Sequence, residues 1–320
     1  MSGFSRRGLL GQGAAFALAP SIARAVTGTR IVPPPPAPQT QYIQGAPDET
    51  NRLTVETYVN GKGPFRFIVD TGADRSVIAD DLATALGLRT GDDVIVQGIA
   101  RAVPAPAVRL DTLRVGRVLI DTLPMPVLPR SWLGADGYLG LDVIDRQAVT
   151  FDFKNHKLTV QPSERSTDWV RTIDDQALVR VNGSNGKLTA VSCSVNGADA
   201  YAFVDSGAEI SIGNTRLFQA LQRNGAKYLN DEIVQLLGVT GGAAEGRRTF
   251  VERIRLGPVS FVDNVLVIAD LQVFDVWDLA DKPALFIGMN FLRQSSSVTI
   301  DYGRKELRFK LARILMASRT

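Results

Sequence analysis

The chain of 320 residues contains one cysteine, Cys193, and one histidine, His156. A single cysteine excludes an intrachain disulfide, and its setting in a Val/Ser stretch predicts a small buried side chain. A single histidine leaves almost no material for a Ser-His-Asp triad or a histidine-rich metal site. The sequence also lacks a Cys/His cluster, a phosphate-binding loop and a dinucleotide-binding fingerprint. We therefore expect no metal and no organic cofactor.

The excess of positive charge comes from the N-terminus. The chain has 36 Lys and Arg residues against 33 Asp and Glu, and residues 1–25 contain three Arg and no acid. Without that segment 33 residues of each sign remain, so the net charge is about zero. Nothing in this balance favours nucleic acid or an anionic membrane surface as a partner.

Residues 1–25 have the order of parts of a bacterial export signal. The pair Arg6-Arg7 resembles a twin-arginine motif, and an apolar stretch from Leu9 to Ala19 follows, too short to span a bilayer comfortably. Ala23-Arg24-Ala25 then offers a small-residue cleavage site. We expect cleavage after Ala25 and a periplasmic or secreted protein. The alternative is a disordered basic tail.

A linker and two repeats are expected after the signal. Residues 26–50 are poor in large apolar side chains and include the run Pro33 to Pro36, which favours an extended polyproline helix. We predict a disordered tether there, which would hold the folded body off a membrane if the signal were retained. The body is expected to divide into an N-terminal lobe, residues 51–165, and a C-terminal lobe, residues 166–320.

Two stretches of the body look like copies of each other. Phe67–Ala73 reads FIVDTGA and Ala202–Ala208 reads AFVDSGA, which places Asp70 and Asp205 135 residues apart. An Asn-Gly dipeptide, a strong hairpin signal, precedes each aspartate by nine or ten residues. One Asp-Thr-Gly is a weak signal. A matched pair, each after an apolar strand-like run, predicts two carboxylates that a symmetric fold could bring face to face.

Further matches follow each aspartate. Helix-like pieces are expected at Asp80–Leu86 and Asn214–Leu221. Later, an apolar-apolar-Gly element recurs at Tyr138–Ile144 and Phe286–Leu292, and the openings of two final hairpins recur at Val149–Phe153 and Val298–Tyr302. The spacing between copies grows from 135 to 148 residues because the second copy has a longer middle. Loops absorb such an insertion at little cost.

These residues resemble the retropepsin-like aspartic protease family, duplicated and fused as in the two-lobed pepsins. The resemblance runs from about Leu53 to Leu311. It implies a mostly β fold with pseudo-twofold symmetry, in which each lobe is a small closed β barrel with one or two short helices. It also implies an aspartic-type endopeptidase, in which Asp70 and Asp205 share a proton and activate a water molecule.

The resemblance assigns supporting roles to residues beside the aspartates: Thr71, Gly72, Ala73, Ser206, Gly207 and Ala208. The hydroxyls of Thr71 and Ser206 are expected to form hydrogen bonds across the lobe boundary. The motif glycines leave room for the turn and expose backbone N–H groups. Gly140 and Gly288 match the family glycines that let backbone approach backbone beside the catalytic loop.

Two positions bear on electrostatics. Many pepsin-like enzymes have Ser or Thr where this chain has Ala73 and Ala208, and such a hydroxyl donates to the carboxylate and lowers its pKa. Since alanine cannot donate, we expect activity that extends towards neutral pH. In viral relatives an acid at the position of Asp74 or Glu209 pairs with an arginine. In this chain no arginine directly follows Gly140 or Gly288. The sequence therefore leaves two interpretations of these acids open, a member of an ion pair or a solvated turn residue.

The family places a hairpin, the flap, over the substrate. Candidate flap residues, three in each lobe, are Gln97, Gly98, Ile99, Gly238, Val239 and Thr240. The flap could come from one lobe, as in pepsins, or from both, as in the viral dimers. We expect a polypeptide substrate and a monomer with an intramolecular site. The alternatives are a catalytically inactive peptide-binding protein of the same fold and a β-rich structural protein of the cell envelope.

Overall fold

The computed structural model describes residues 29–31, 46–47, 53–163, 176–184, 187–190 and 193–311. The expected export signal lies outside the described residues, as does most of the expected tether. Two short strands lie within the tether segment, β1 (Thr29–Ile31) and β2 (Ala46–Pro47). They pair with residues 118–120 and 53–54, where strand edges offer unpaired backbone groups. At these five residues the segment is therefore paired to the folded body, where the sequence predicts a tether.

Residues 53–163 form nine strands and three short helices. They are β3 (Leu53–Val59), β4 (Lys62–Val69), β5 (Val77–Ala79), α1 (Asp80–Ala85), β6 (Thr90–Gln97), β7 (Ala102–Val115), β8 (Val118–Leu128), α2 (Arg130–Leu133), β9 (Gly137–Leu139), α3 (Leu141–Ile144), β10 (Gln147–Asp152) and β11 (Lys157–Pro162). The helix predicted at Asp80–Leu86 is confirmed as α1.

The described residues from 176 to 311 form twelve strands and three helices. They are β12 (Gln176–Ser184), β13 (Lys187–Ala190), β14 (Cys193–Val195), β15 (Ala198–Asp199), β16 (Tyr201–Val204), β17 (Ile212–Gly213), α4 (Thr215–Gln222), β18 (Tyr228–Leu237), β19 (Ala243–Leu256), β20 (Val259–Ile268), α5 (Gln272–Val276), β21 (Ala284–Ile287), α6 (Met289–Leu292), β22 (Ser295–Asp301) and β23 (Glu306–Leu311). The predicted second helix is α4, capped by the side chain of Asn214.

The fold is mostly β and has two lobes, as predicted. Strands β1 to β9 form one sheet in the order β1-β8-β5-β9-β4-β3-β7-β6, with β2 beside β3. Strands β10 to β23 form a second sheet. The hairpin β10–β11 lies within residues 51–165, yet β10 pairs with β22. One sheet therefore contains strands from both halves of the chain. Within the described ranges no helix is both long and apolar enough to cross a membrane.

The hairpin turns follow from their sequences. Asn60-Gly61 and Asn196-Gly197 all have positive φ, between 45° and 83°, which is the requirement of the tight turn that joins twisted antiparallel strands. The first turn joins β3 to β4, as predicted. The second turn joins β14 to the short β15, and β13 pairs with β16.

Corresponding strands of the two repeats have the same partners. β4 runs parallel to β9 with Val69 opposite Leu139, and β16 runs parallel to β21 with Val204 opposite Ile287. The equivalent strands β10 and β22 pair with each other, and Thr150 faces Thr299 there, with their hydroxyl oxygens 2.9 Å apart. Because these threonines are themselves equivalent, a pseudo-twofold axis passes between them.

Buried side chains from both lobes form the core. A large apolar cluster includes residues of both sheets, and a smaller one lies in the second lobe around Phe203, Phe274 and Phe286. Cys193 is buried in the large cluster, and burial raises the pKa of its thiol to about 12. The prediction of a small buried side chain at this position is confirmed.

Candidate active site

Each motif aspartate follows the last residue of a central strand. Asp70 comes directly after β4 and its backbone N–H donates to the carbonyl of Leu139, at 2.9 Å. Asp205 comes directly after β16 and its N–H donates to the carbonyl of Ile287, at 3.0 Å. The parallel partner strand therefore fixes the backbone of both aspartates in the same way.

The turn after each aspartate folds back onto the carboxylate. Oδ1 of Asp70 accepts hydrogen bonds from the N–H groups of Gly72 and Ala73, at 2.9 and 3.1 Å. Oδ1 of Asp205 accepts from Gly207 and Ala208, at 2.9 and 3.2 Å. These donors favour the ionised form of each carboxyl group.

The two carboxyl groups lie together across the lobe boundary. A Cβ atom added to Gly72 would lie 2.9 Å from Cγ of Asp205, and one added to Gly207 would lie 2.5 Å from Cγ of Asp70. Burial, the charge of Asp70 and a hydrogen bond between the two aspartates raise the pKa of Asp205 to about 8. Two carboxyl groups in such close contact titrate as a pair and not one by one.

Two hydroxyl residues cross-link the turns. Thr71 Oγ1 donates to the carbonyl of Val204 at 2.9 Å and accepts from the N–H of Ser206 at 2.9 Å. Ser206 Oγ donates to the carbonyl of Val69 at 2.7 Å and accepts from the N–H of Thr71 at 3.2 Å. These are the cross-lobe hydrogen bonds that the resemblance implies. Both side chains are buried, so the bonds are sheltered from competition with water.

Gly140 and Gly288 lie against the turns that follow the two aspartates. A Cβ atom on Gly140 would lie 2.6 Å from the backbone of Arg75, and one on Gly288 would lie 2.8 Å from the carbonyl oxygen of Ala208. Any side chain at either position would push the two backbone segments apart, so glycine is required for the approach.

A serine six residues after each aspartate completes the support, and the sequence reasoning missed both. The Ser76 hydroxyl accepts from the N–H of Gly140 at 2.9 Å and donates to Asp142 at 2.6 Å. The Ser211 hydroxyl accepts from Gly288 at 2.8 Å and donates to Asn290 at 2.7 Å. Both serines follow their aspartate at the same spacing, which is the signal that could have revealed them.

Glu209 forms an ion pair. Arg293 donates from its two terminal nitrogens to the two carboxylate oxygens of Glu209, at 2.5 and 3.4 Å. The sequence left this open because no arginine directly follows Gly288. The partner comes five residues after that glycine, just beyond α6, where one helical turn brings it back to the loop that follows Asp205.

Tyr302 is a further neighbour of the aspartates that the sequence reasoning did not identify. Its side chain is buried and forms a hydrogen bond with Thr71. Burial and the charges of Asp70 and Asp205 raise the pKa of its phenol well above the ordinary value. The first repeat has Phe153 at the equivalent position, so this hydroxyl is present on one side of the pseudo-twofold axis.

The candidate flap residues lie at the tips of two long hairpins. β6 and β7 turn through residues 98–101, and β18 and β19 turn through residues 238–242. The tips are in contact: a Cβ atom on Gly98 would collide with the Thr240 side chain, and one on Gly238 would lie 2.8 Å from Cγ1 of Ile99. The structure thus places the hairpin tips of both lobes together.

Comparison with known families identifies the chain. The model of the aspartyl protease family matches residues 55–143 and residues 191–291, which together make up more than half of the sequence. The chain belongs to the aspartyl protease family. The two matches to the aspartyl protease model agree with two repeats, and they contain Asp70 and Asp205 respectively. No curated protein matches the chain.

Proposed function

We propose that this chain is an aspartic-type endopeptidase whose catalytic residues are Asp70 and Asp205. The observation that carries the proposal is the contact of the two carboxyl groups across the lobe boundary, each against the motif glycine of the other lobe. A proton shared at neutral pH leaves one negative charge on the pair. One pair then offers both a base and an acid.

In the proposed reaction a water molecule lies between the two carboxyl groups. The ionised group removes a proton from the water molecule as the water oxygen attacks the peptide carbonyl carbon. The protonated group donates a hydrogen bond to the carbonyl oxygen, on which negative charge develops. A proton then passes from the pair to the leaving nitrogen, and the C–N bond breaks. No covalent intermediate forms, so no serine, cysteine or histidine nucleophile is needed.

We further propose that the substrate is a polypeptide bound in extended form beneath the hairpin tips, which act as flaps. We also propose that the protein is exported through the twin-arginine pathway, to the periplasm or out of the cell, and that it works as a monomer. The order of parts in residues 1–25 supports export, and the presence of both aspartates on one chain supports a monomer.

The test is substitution of each aspartate by asparagine, separately and together, with cleavage of a mixed peptide library followed by mass spectrometry. Each single variant should lose activity about 10³-fold or more, and the double variant should add little, because the pair works as a unit. Asp263→Asn, the same change at an exposed site in β20, should leave activity unchanged. Undiminished cleavage by either single variant excludes this mechanism, and peptide binding without turnover by the unaltered protein identifies a binding protein instead.

A further inference from the structure

The tips of the two hairpins are joined by a reciprocal pair of hydrogen bonds. Thr240 Oγ1 donates to the carbonyl of Arg101 at 3.0 Å, and Nε of Arg101 donates to the carbonyl of Thr240 at 3.1 Å. The partners lie 139 residues apart in sequence and belong to different lobes. The bonds therefore tie the hairpin tip of one lobe to the hairpin tip of the other.

The contact is packed as well as hydrogen-bonded. Thr240 is fully buried although it lies at a hairpin tip. Gly98 lies against its side chain, and Gly241 lies against the ring of Trp132 in the first lobe, so neither glycine leaves space for a Cβ atom. The guanidinium of Arg101 lies 5.7 Å from the centre of the same ring, within the range of a cation–π contact.

Each tip is also anchored in the opposite lobe. The carbonyl of Ile99 accepts a hydrogen bond from the N–H of Gln272, the first residue of α5, at 3.0 Å. The Ile99 side chain packs against the smaller apolar cluster of the second lobe, which contains Phe203. Phe203 lies in β16, the strand that Asp205 follows. The tip of the first-lobe hairpin is therefore held against the second lobe by a backbone hydrogen bond and by apolar packing.

We infer that Arg101 and Thr240 form a latch that holds the two hairpin tips together in the absence of substrate, and that both bonds must break before a polypeptide can pass between the tips. This inference rests on the proposed function only in taking the substrate to bind beneath the tips. Loosening the latch should therefore shift the equilibrium between closed and open hairpin tips, a quantity that can be measured without following cleavage.

The chain is well suited to a direct measurement of opening. Ile95 and Leu237 lie on the two hairpins with exposed fractions of 63% and 82%, so cysteines placed there can carry spin labels. The native cysteine, Cys193, is buried and its pKa is raised to about 12, so it should resist labelling. Double electron–electron resonance on Ile95→Cys/Leu237→Cys then gives the distribution of distances between the hairpins.

The deciding variant is Thr240→Val, which removes the donor hydroxyl and keeps the side-chain shape, with Thr240→Ser as the control that retains it. We expect one short-distance population in the unaltered and Thr240→Ser proteins. Thr240→Val should raise the open, longer-distance population about tenfold, the effect of one hydrogen bond to the closed state. Arg101→Ala should also raise the open population. Because Arg101 is exposed, this variant tests the latch without disturbing a buried side chain.

The measurement does not need turnover, so it separates this inference from the proposed function. Identical distance distributions in the unaltered protein, Thr240→Val and Arg101→Ala would overturn the latch, whether or not the protein cleaves peptides. A shift in both variants, with none in Thr240→Ser, supports the latch even if Asp70→Asn and Asp205→Asn prove to have no effect on cleavage.

Discussion

Gly207 of the second repeat lies directly against the carboxylate of Asp70 in the first, so that an added Cβ atom would lie 2.5 Å from the carboxyl carbon. The reverse contact, Gly72 against Asp205, is less tight at 2.9 Å. Real Cβ atoms do not approach so closely, and a side chain at either glycine must displace the carboxylate of the other lobe. The two repeats therefore depend on each other's glycine for the geometry of the site.

The first prediction concerns these glycines. Gly207→Ala should lower kcat/KM by about 100-fold or more, because displacement of a reacting group by about 1 Å has a cost of that size. Gly72→Ala should have a smaller effect because the overlap is smaller. Gly91→Ala is the matched control, since its Cβ atom would make only an ordinary contact at 3.6 Å with the carbonyl oxygen of Ala107. The kcat/KM of each of the three variants is measured on the same peptide. A value for Gly207→Ala equal to that of Gly91→Ala would contradict the proposed geometry.

A second prediction tests the cross-lobe hydroxyls. Ser206→Ala removes the hydrogen bond to the carbonyl of Val69 and the acceptor for the N–H of Thr71. Both backbone groups lie in buried surroundings, so the free energy of unfolding should fall by about 1–3 kcal/mol, as measured by urea denaturation. Ser206→Thr keeps the hydroxyl, and Thr71 shows that the equivalent turn accepts a threonine. A loss as large in Ser206→Thr as in Ser206→Ala would show that packing, not the hydroxyl, matters here.

A third prediction addresses the pH range. In the proposed mechanism, peptide cleavage needs the singly protonated pair, which is lost as pH rises through the raised pKa, about 8 at Asp205. A serine hydroxyl at position 208 would donate to the ionised carboxylate and lower that pKa. In Ala208→Ser the alkaline limb of the pH–rate profile should therefore move to lower pH, by up to about one unit. Ala208→Cys adds a similar volume with a weaker donor and should shift the limb less. An unmoved limb in Ala208→Ser would refute this account of the alanines.

The parts of the site that the sequence predicts are those that the two repeats carry in the same form. Asp70 and Asp205 follow matching apolar strands, and Thr71 and Ser206 follow the aspartates directly. Local strand pattern and turn chemistry are sufficient for these positions, because each aspartate is held by its own turn and by the strand beside it. The hydrogen bonds between the lobes are those that the resemblance to the aspartic protease family implies.

The remaining parts depend on tertiary contacts that no local pattern encodes. Arg293 reaches Glu209 only because α6 turns the chain back, and Arg101 meets Thr240 only because the hairpins of the two lobes converge. The pairing of β10 with β22 is similar. The alternation of β10 predicts a strand, but the choice of partner depends on which sheet edge lies beside it in the folded lobes.

The last prediction uses a difference between the repeats. Asp142 and Asn290 are equivalent, and each accepts hydrogen bonds from the backbone and hydroxyl of a serine. Burial raises the pKa of Asp142 to about 6 from an ordinary value of 3.8. Between these values the unfolded chain ionises while the folded protein keeps the proton, so stability falls as pH rises through this window and the loss is complete above about pH 6.

Asp142→Asn should remove that loss, because asparagine accepts the same hydrogen bonds without a charge. Its free energy of unfolding relative to the unaltered protein should therefore rise between pH 4 and pH 7, by at most about 3 kcal/mol, the equivalent of the shift at 1.36 kcal/mol per pKa unit. The partial exposure of Asp142 makes the true gain smaller. The reciprocal variant, Asn290→Asp, should acquire the same dependence in the second lobe. Urea denaturation at several pH values measures both, and a difference between Asp142→Asn and the unaltered protein that stays constant with pH would show that Asp142 does not titrate in this range.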